Sequence, residues 1–512
     1  MHWAAAIASA ILLILSFPRF NFWPLAWVAL VPLLVVLARK PDARRAFLLG
    51  WIAGAIFFYG STHWLTFSMV QYGGIPRWLA YVLLLPAPLL GGLFIGVFAL
   101  VIARVTKKWG TTALFVAPLL WPSLEWARLL IIGQLWNAIG YSQAFHPVLI
   151  QTARWGGVYL VGFLIVLSNA ALAFLIVQRS VRAAVITVLI FASLAALIVG
   201  VNRTSPTDRL AASNPSEVVV IAVQPNVPMT LVKSTEEMEE LVKRHVSMSE
   251  EALSKIPKDL RPKLVIWPES PMTFTYGVDR QLQELLKQFT TTHQTALLLN
   301  SQEQAPNEGI YNSAVLVNQE GRMIAQYDKI RLMPFGEYVP LPRWMPGASL
   351  IGAIVGDFTP GTNYRPMTIG EVRAGVFICI ESAYPHIPRN LTREGADVLI
   401  NISNDGYLGP TAVMQQHLSN AIFRAVENGR PILRVTNSGI TAYITTTGAV
   451  RDATEGFQTA MRVWSIARSE SEDTFYSRRG DLFVGVTTAL SILAFAGTFV
   501  RTRSGSDGVY KV

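Results

Sequence analysis

The alternation of hydrophobic and polar positions divides the chain into two unlike parts. Residues 1–205 are dominated by long apolar runs, at 3–17, 22–38, 46–65, 79–103, 112–132, 158–178 and 183–201. An eighth run, residues 482–500, reads LFVGVTTALSILAFAGTFV and carries no charge. A helix needs about 20 mostly apolar residues to cross roughly 30 Å of hydrocarbon, so each run is a candidate span. The first run ends at Pro18, and Met1-His2 lacks the positive start of a signal peptide, so it is read as a helix. The pattern predicts a helical membrane unit of eight spans.

From Glu217 the texture changes to short β-branched runs separated by polar helical stretches. VVVIAVQPN, KLVIWPES, TALLLNSQ, SAVLVNQEG, AGVFICIES, DVLINISND and PILRVTNSG each read as a strand ending in polar residues. Near-continuous apolar strands point to sheets covered on both faces. TEEMEELVKRHVSMSEEAL, QLQELLKQF and TAVMQQHLSNAIFRAVENG read as helices between them, the first with Ser234 and Glu237 at capping-box spacing. Strands interleaved with helices indicate a layered α/β domain. The predicted organisation is a seven-span unit (1–205), an α/β domain (206–478), then an eighth helix and tail (479–512). The tail TRSGSDGVYKV reads as disordered. Nothing reads as a repeat, a coiled coil or a GxxxG dimer face, which leaves a monomer as the default.

Charge then orients the chain. Of its 512 residues 52% are hydrophobic and 15% charged, against about 25% charged in soluble proteins. Residues 1–207 hold 14 Lys/Arg against two acids, Asp42 and Glu125, so the excess positive charge belongs to the membrane unit and a nucleic-acid partner loses its support. Arg39, Lys40, Arg44 and Arg45 lie between the second and third runs, Arg104, Lys107 and Lys108 between the fourth and fifth, Arg179 and Arg182 between the sixth and seventh, and Arg501, Arg503 and Lys511 after the eighth. The alternate connections carry only Arg19, Arg77 and Arg154 apart from the large domain. By the positive-inside rule both termini are cytoplasmic and the α/β domain faces outward, into the periplasm of a two-membrane bacterium.

Cys379 is the single cysteine, which excludes an intrachain disulfide and a multi-cysteine metal site. It lies at the end of the strand in VFICIES, followed by Glu381, where a side chain can project into a cleft. A nucleophilic thiol needs a base and a positive neighbour. Glu269 in WPES, and Lys329 and Glu337 in YDKIRLMPFGEYVP, stand at other strand ends and supply candidates. Within the fifth run, Glu125 and Arg128 share a helix face; they read as an internal ion pair or as a lipid-headgroup contact. LPRWMPGASLIGAIVGDF, residues 341–358, is apolar within a polar domain. It reads as a buried loop or as a lid, with Trp344, Met345, Leu350 and Ile351 touching the bilayer.

WPES, Asp-Lys-Ile-Arg followed by Pro-Phe-Gly-Glu-Tyr, the Cys379-x-Glu381 turn and Ser-Asn-Asp-Gly-Tyr at 403–407 resemble the carbon–nitrogen hydrolase (nitrilase) superfamily. The membrane frame, with LEWAR and NAIGYSQ, makes the whole chain similar to its membrane branch, the apolipoprotein N-acyltransferase family. The resemblance implies an αββα sandwich with a triad at Glu269, Lys329 and Cys379: base, oxyanion stabiliser and nucleophile. It implies that the backbone N–H after Cys379 assists Lys329 and that Glu337 orients or balances the lysine. Glu381 would support the cysteine turn, and Asn312 and Asn404 would line the cleft. Asn404 and Asp405 also have a plain reading as turn residues. Ile380 and Tyr407 depart from the Tyr and Trp that members often carry there; both concern pocket lining and leave the triad intact.

The implied activity is ping-pong acyl transfer in the bacterial inner membrane. A phospholipid, phosphatidylethanolamine first among donors, would acylate Cys379, and the α-amine of a diacylglyceryl-cysteine lipoprotein would accept the chain. No metal or diffusible cofactor is needed. Competing readings are a membrane-anchored amidase using water, an acyltransferase for another lipid-linked amine, and a non-enzymatic receptor or transporter.

Overall fold

The computed structural model describes residues 2–133, 135–204, 217–229, 234–256, 261–272, 274–306, 309–339, 358–469 and 472–500. The apolar segment expected to form a lid, with Trp344, Met345, Leu350 and Ile351, lies outside the described residues except for Phe358. The C-terminal tail also lies outside them.

All eight apolar runs contain helix, but they differ in length. Among the described residues five helices are long and apolar enough to cross a membrane: Ala43–Gln71, Arg77–Trp109, Thr111–Ile132, Ala153–Gln178 and Val181–Arg203. The other three places hold shorter apolar helices, His2–Ser16, Trp23–Ala38 and Leu482–Gly497. The first has 15 residues, which at about 1.5 Å per residue reaches roughly 22 Å. Pro18 follows its end, and Trp23–Trp27 opens the second stretch as a 3-10 turn before Val31 starts an α-helix. The apolar run also ends at Pro18, but hydropathy alone does not register the 3-10 opening of the second stretch.

Gly50 and Gly54 do have GxxxG spacing, and the chain uses it internally. A methyl group added at Gly54 would stand 2.7 Å from Gly92 Cα, so the Ala43–Thr62 and Pro86–Trp109 helices meet backbone to backbone.

Beyond the membrane helices, twelve strands among the described residues form two sheets. They are β1 (Val218–Gln224), β2 (Lys263–Ile266), β3 (Ala296–Gln304), β4 (Ile310–Val317), β5 (Met323–Asp328), β6 (Met367–Ile369), β7 (Val372–Ile378), β8 (Val398–Ser403), β9 (Ile432–Thr436), β10 (Ala442–Ile444), β11 (Val450–Arg451) and β12 (Ala460–Ile466). The first sheet runs β12-β1-β2-β3-β4-β5 and the second β11-β10-β9-β8-β7-β6. In each a parallel core, β1-β2-β3 or β7-β8-β9, is flanked by antiparallel strands.

Side-chain alternation explains the layering. Val218, Val220, Ala222, Leu264, Ile266 and Leu298 share one buried cluster with Val376, Ile378, Ile400 and Ile402 of the opposing sheet. The intervening Val219, Ile221, Val265, Leu297 and Leu299 pack instead with Leu241, Met248, Leu282, Leu286 and Phe289. Those residues belong to the helices Thr235–Ser254 and Arg280–His293, so the strands are apolar on both faces. The expected capping box is present, with Glu237 N–H on the Ser234 hydroxyl and Glu237 carboxylate on the Ser234 N–H. His386–Arg393 and Val413–Asn428 contribute Ile387, Leu391, Leu418, Ile422 and Val426 to the core of the second sheet. That cluster also contains Leu33, Phe98 and Ile165, so a continuous apolar core joins the membrane helices to the sandwich.

Two polar junctions fix the domain on its membrane frame. Gln416 accepts from the indole N–H of Trp64 (3.1 Å) and Trp136 (2.8 Å), and donates to the carbonyls of Pro18 (2.8 Å) and Ser61 (3.0 Å). Glu427 accepts the backbone N–H of Val158 at 2.9 Å. The Ala153–Gln178 helix is broken at Gly156 and Gly157, the latter at φ +64°, and restarts at Val158. Helix starts leave N–H groups unpaired, and Glu427 fills the role of a capping residue from 269 positions away.

Candidate active site

The side chains singled out in the sequence converge at strand ends. Cys379 follows β7 and opens the 3-10 turn Cys379–Ala383 at φ +51°, a left-handed conformation uncommon for any residue but glycine. Its side chain is half-buried. Lys329 directly follows β5, and its backbone N–H donates to the Asn312 carbonyl on β4 at 2.8 Å. Glu269 lies three residues past β2. Glu337 stands on the turn after Lys329, where Phe335 takes φ +60°.

Lys329 is 1% exposed, so its ammonium relies on partners rather than water. It donates to Glu337 Oε1 at 2.9 Å and to Glu269 Oε1 at 3.3 Å. Asn312 Nδ2 donates to the same two oxygens, at 2.6 Å and 3.1 Å, and Asn300 Nδ2 fixes Asn312 by donating to its Oδ1 at 2.7 Å. The second Glu337 oxygen accepts Met333 N–H at 2.7 Å. Burial opposes the charge on Lys329, but Glu269 and Glu337 outweigh it and hold the ammonium well above its usual range. Burial likewise pushes the Cys379 thiol far up; Glu269 adds to the effect and Lys329 opposes it. At neutral pH the resting cysteine is therefore a thiol, and its proton must leave as the sulfur attacks.

Glu381 supports the turn. Its carboxylate accepts Ile378 N–H (2.7 Å), Ile330 N–H (2.7 Å), Arg331 N–H (3.0 Å) and the Tyr327 hydroxyl (2.9 Å). Burial raises its pKa to about 7 despite these donors. Asn404 is mainly a turn residue: its Oδ1 accepts Gly406 N–H at 3.1 Å, and its Nδ2 faces Met229 Sδ at 3.0 Å. Tyr407 is 45% exposed at the rim and meets Tyr72 of the membrane frame edge to face at 6.0 Å. Ser68 donates to its carbonyl at 2.7 Å.

Glu125 and Arg128 are buried in the frame and are not ion-paired with each other. Glu125 accepts from Trp121 Nε1 (2.8 Å) and Ile139 N–H (2.7 Å), whereas Arg128 donates to the Trp136 carbonyl (2.8 Å) and lies over the Phe58 ring. The segment after their helix folds back and offers each a nearer backbone partner.

His417 and Arg434 were not singled out from the sequence, and Asp405 was read only as a turn residue. Asp405 accepts from Arg434 Nη2 at 2.9 Å and meets His417 Nδ1 at 2.7 Å, so its role goes beyond a turn. His417 Nε2 lies 2.9 Å from the Cys379 carbonyl oxygen. Burial works against the Asp405 charge, but Arg434 and His417 prevail and lower its pKa to about 2. The available signal was Arg434 itself, a cation inside the apolar run PILRVTN, which demands a buried carboxylate. Among the described residues no group of three His, Cys, Asp or Glu is arranged to hold a metal.

A buried ammonium beside two carboxylates, facing a thiol on a strained turn, can move a proton and stabilise an oxyanion, as acyl transfer requires. Residues 9–171 match the apolipoprotein N-acyltransferase N-terminal domain, and residues 220–469 match the carbon-nitrogen hydrolase domain. The chain is 33% identical to the apolipoprotein N-acyltransferase of Geobacter metallireducens, over 97% of this chain and 95% of that one. It is 31% identical to that of Chromobacterium violaceum, over 94% and 90%. A carbon-nitrogen hydrolase structure from Helicobacter pylori aligns at 17% identity and TM-score 0.37, over 49% of this chain and 89% of that one.

Proposed function

This chain belongs to the apolipoprotein N-acyltransferase family, and we propose that it acylates lipoproteins through a thioester on Cys379. Glu269 takes the thiol proton as sulfur attacks an ester carbonyl of a membrane phospholipid. The oxyanion forms beside Lys329 and the Ile380 N–H. Its collapse breaks the ester C–O bond, and Glu269 returns the proton to the departing lysophospholipid. In the second half the α-amine of a diacylglyceryl-cysteine attacks the thioester and gives a proton to Glu269. Collapse then breaks the C–S bond, forms the amide and restores the thiol.

The observation that carries this reading is the Glu269–Lys329–Glu337 cluster acting on Cys379. Proton transfer from Cys379 to Glu269 keeps the local charge unchanged, and the new negative charge arises next to an ammonium already held in place. Glu337 keeps Lys329 charged in both halves. Phosphatidylethanolamine is the donor assigned.

The reading includes an eight-span frame in the bacterial inner membrane, both termini cytoplasmic, with residues 206–478 as a periplasmic catalytic unit. The alternation of Lys/Arg between connections supports it. Donor and acceptor are both lipids, which explains why a hydrolase-like sandwich is fused to a membrane frame. Incubating the solubilised protein with phosphatidylethanolamine alone tests the proposal. A hydroxylamine-labile acyl adduct, absent in Cys379→Ser and discharged by a diacylglyceryl-cysteine peptide, is expected. An adduct that only water discharges would instead make the protein a lipid hydrolase.

A further inference from the structure

We propose that His417 is a positioning residue that sets the backbone oxyanion donor beside Cys379, and that Gln416 references it to the membrane frame. The inference rests on Cys379 being the nucleophile. His417 is 3% exposed, and its Nε2 stands 2.9 Å from the Cys379 carbonyl oxygen. A carbonyl oxygen only accepts hydrogen bonds, so Nε2 carries a proton and donates. On the other side of the ring, Asp405 Oδ1 lies 2.7 Å and Arg434 Nη2 3.1 Å from Nδ1. Arg434 also donates to Asp405 Oδ2 and to the Asn401 side chain, and is itself 0% exposed. The imidazole is thus held from behind by a buried carboxylate that is in turn held by a buried guanidinium.

The contact matters because of which carbonyl it grips. A peptide group is planar and trans, so its C=O and the following N–H point in opposite directions. Holding the Cys379 carbonyl therefore sets the direction of the Ile380 N–H. Ile380 is the second residue of the 3-10 turn, in the first turn of a helix, where N–H groups lack intrahelical partners. It is also the backbone donor to the oxyanion. Cys379 sits at φ +51°, a left-handed conformation that is unfavourable for a residue with a Cβ. Without the His417 bond, this peptide can rotate about the Cys379 Cα–C bond and turn the Ile380 N–H away.

The neighbouring residue makes the position a property of the whole molecule. Gln416 uses its amide on Trp64, Trp136, Pro18 and Ser61, all in the membrane frame. Trp136 also packs on the His417 ring, with centroids 5.6 Å apart. Successive residues of one helix thus bind the frame and the nucleophile's peptide.

The test compares acylation with alkylation in the full-length protein in phosphatidylethanolamine micelles. Iodoacetamide alkylates a thiol by displacement, with no oxyanion, whereas thioester formation passes through one. His417→Asn is too short to reach the Cys379 carbonyl; His417→Gln places an amide N–H near the Nε2 position. For His417→Asn the single-turnover rate of thioester formation should fall about 100-fold, the loss of one oxyanion donor. Donor KM and the alkylation rate should stay near wild type, and His417→Gln should recover most of the acylation rate.

Normal acylation in His417→Asn overturns the proposal, as does a parallel fall in alkylation, which would mean that His417 acts on the thiol itself. If the Asn variant does not fold, a folded Gln variant that acylates as poorly as a Lys329 variant overturns it too. A wild-type protein that forms no thioester would overturn the nucleophile assignment as well; loss of this proposal alone leaves wild-type acylation intact.

Discussion

Glu381 Oε1 accepts the backbone N–H of Ile330 at 2.7 Å, and this bond ties the nucleophile's turn to the lysine's loop. The same carboxylate binds Ile378 N–H just before Cys379 and Arg331 N–H just after Ile330, so one side chain sets the approach of two sheets.

Glu381→Gln is expected to disable the enzyme without touching the triad. Four donors converge on the carboxylate, and an amide would present N–H groups to at least one of them. A buried polar group left unpaired costs about 1–3 kcal/mol. Lower thermal stability and a loss of thioester formation should appear together. Full activity in a folded Gln variant would show that the turn needs no anion.

Replacing Lys329 should remove chemistry before stability. In Lys329→Met, Glu269 and Glu337 keep Asn312 as a shared donor but lose their cation. Thioester formation is expected to fall by about 100-fold or more, as when a main oxyanion donor is removed. Lys329→Arg should not rescue it, because a planar guanidinium cannot replace a fully buried ammonium. Rapid acylation in either variant, read by intact mass, would remove the lysine from the mechanism.

Glu269, Lys329 and Cys379 were readable as candidates because they stand at strand ends beside distinctive turns, in WPES, DKIR and FICIES, and the triad roles proposed for them came from the resemblance. His417 was not readable for the same kind of reason. It lies in a helix in which Gln416, His417, Asn420, Arg424 and Glu427 are buried. Such a segment reads as an amphipathic surface helix until its partners are known. Those partners, Cys379, Trp64 and Val158, lie 38, 352 and 269 positions away. Strands β5, β6, β10, β11 and β12 also escaped prediction. β6, β10 and β11 have two or three residues each, and β5 and β12 carry exposed positions instead of the apolar run of the central strands.

Asp405 should stabilise the fold over a defined pH range. Its native pKa of about 2 lies below the ordinary value of 3.8. A depressed carboxylate contributes stability that is complete above the unfolded pKa and is lost as pH falls through the native one. A shift of this size corresponds to roughly 2 kcal/mol, and leaving Arg434 and His417 unpaired adds to it. Asp405→Asn should therefore be clearly less stable than wild type from neutral pH down to about pH 4, with the gap narrowing below that. Chemical denaturation in detergent at several pH values measures the gap; a gap that stays constant down to pH 3 would contradict the ion-pair account.

Glu427 joins the α/β domain to the membrane frame. Its carboxylate accepts Val158 N–H and pairs with Arg424 Nη2 at 2.8 Å, and both side chains are 0% exposed. Removing one member of a buried pair leaves an uncompensated charge, at a cost of about 3–5 kcal/mol. Glu427→Gln preserves shape and one acceptor oxygen but not the negative charge, so Arg424 becomes the stranded group. Arg424→Met with Glu427→Gln removes that stranded cation while keeping an acceptor for Val158. The double variant should thus recover part of the stability lost in the single variant, although it carries one more substitution. Neither change touches the triad, so the residual folded protein should still form a thioester at the wild-type rate. If Glu427→Gln unfolds no earlier than wild type, the helix restart at Val158 does not depend on this cap. If the double variant is less stable than the single one by the full cost of losing Arg424, the two residues act independently and the junction is not an ion pair in the energetic sense.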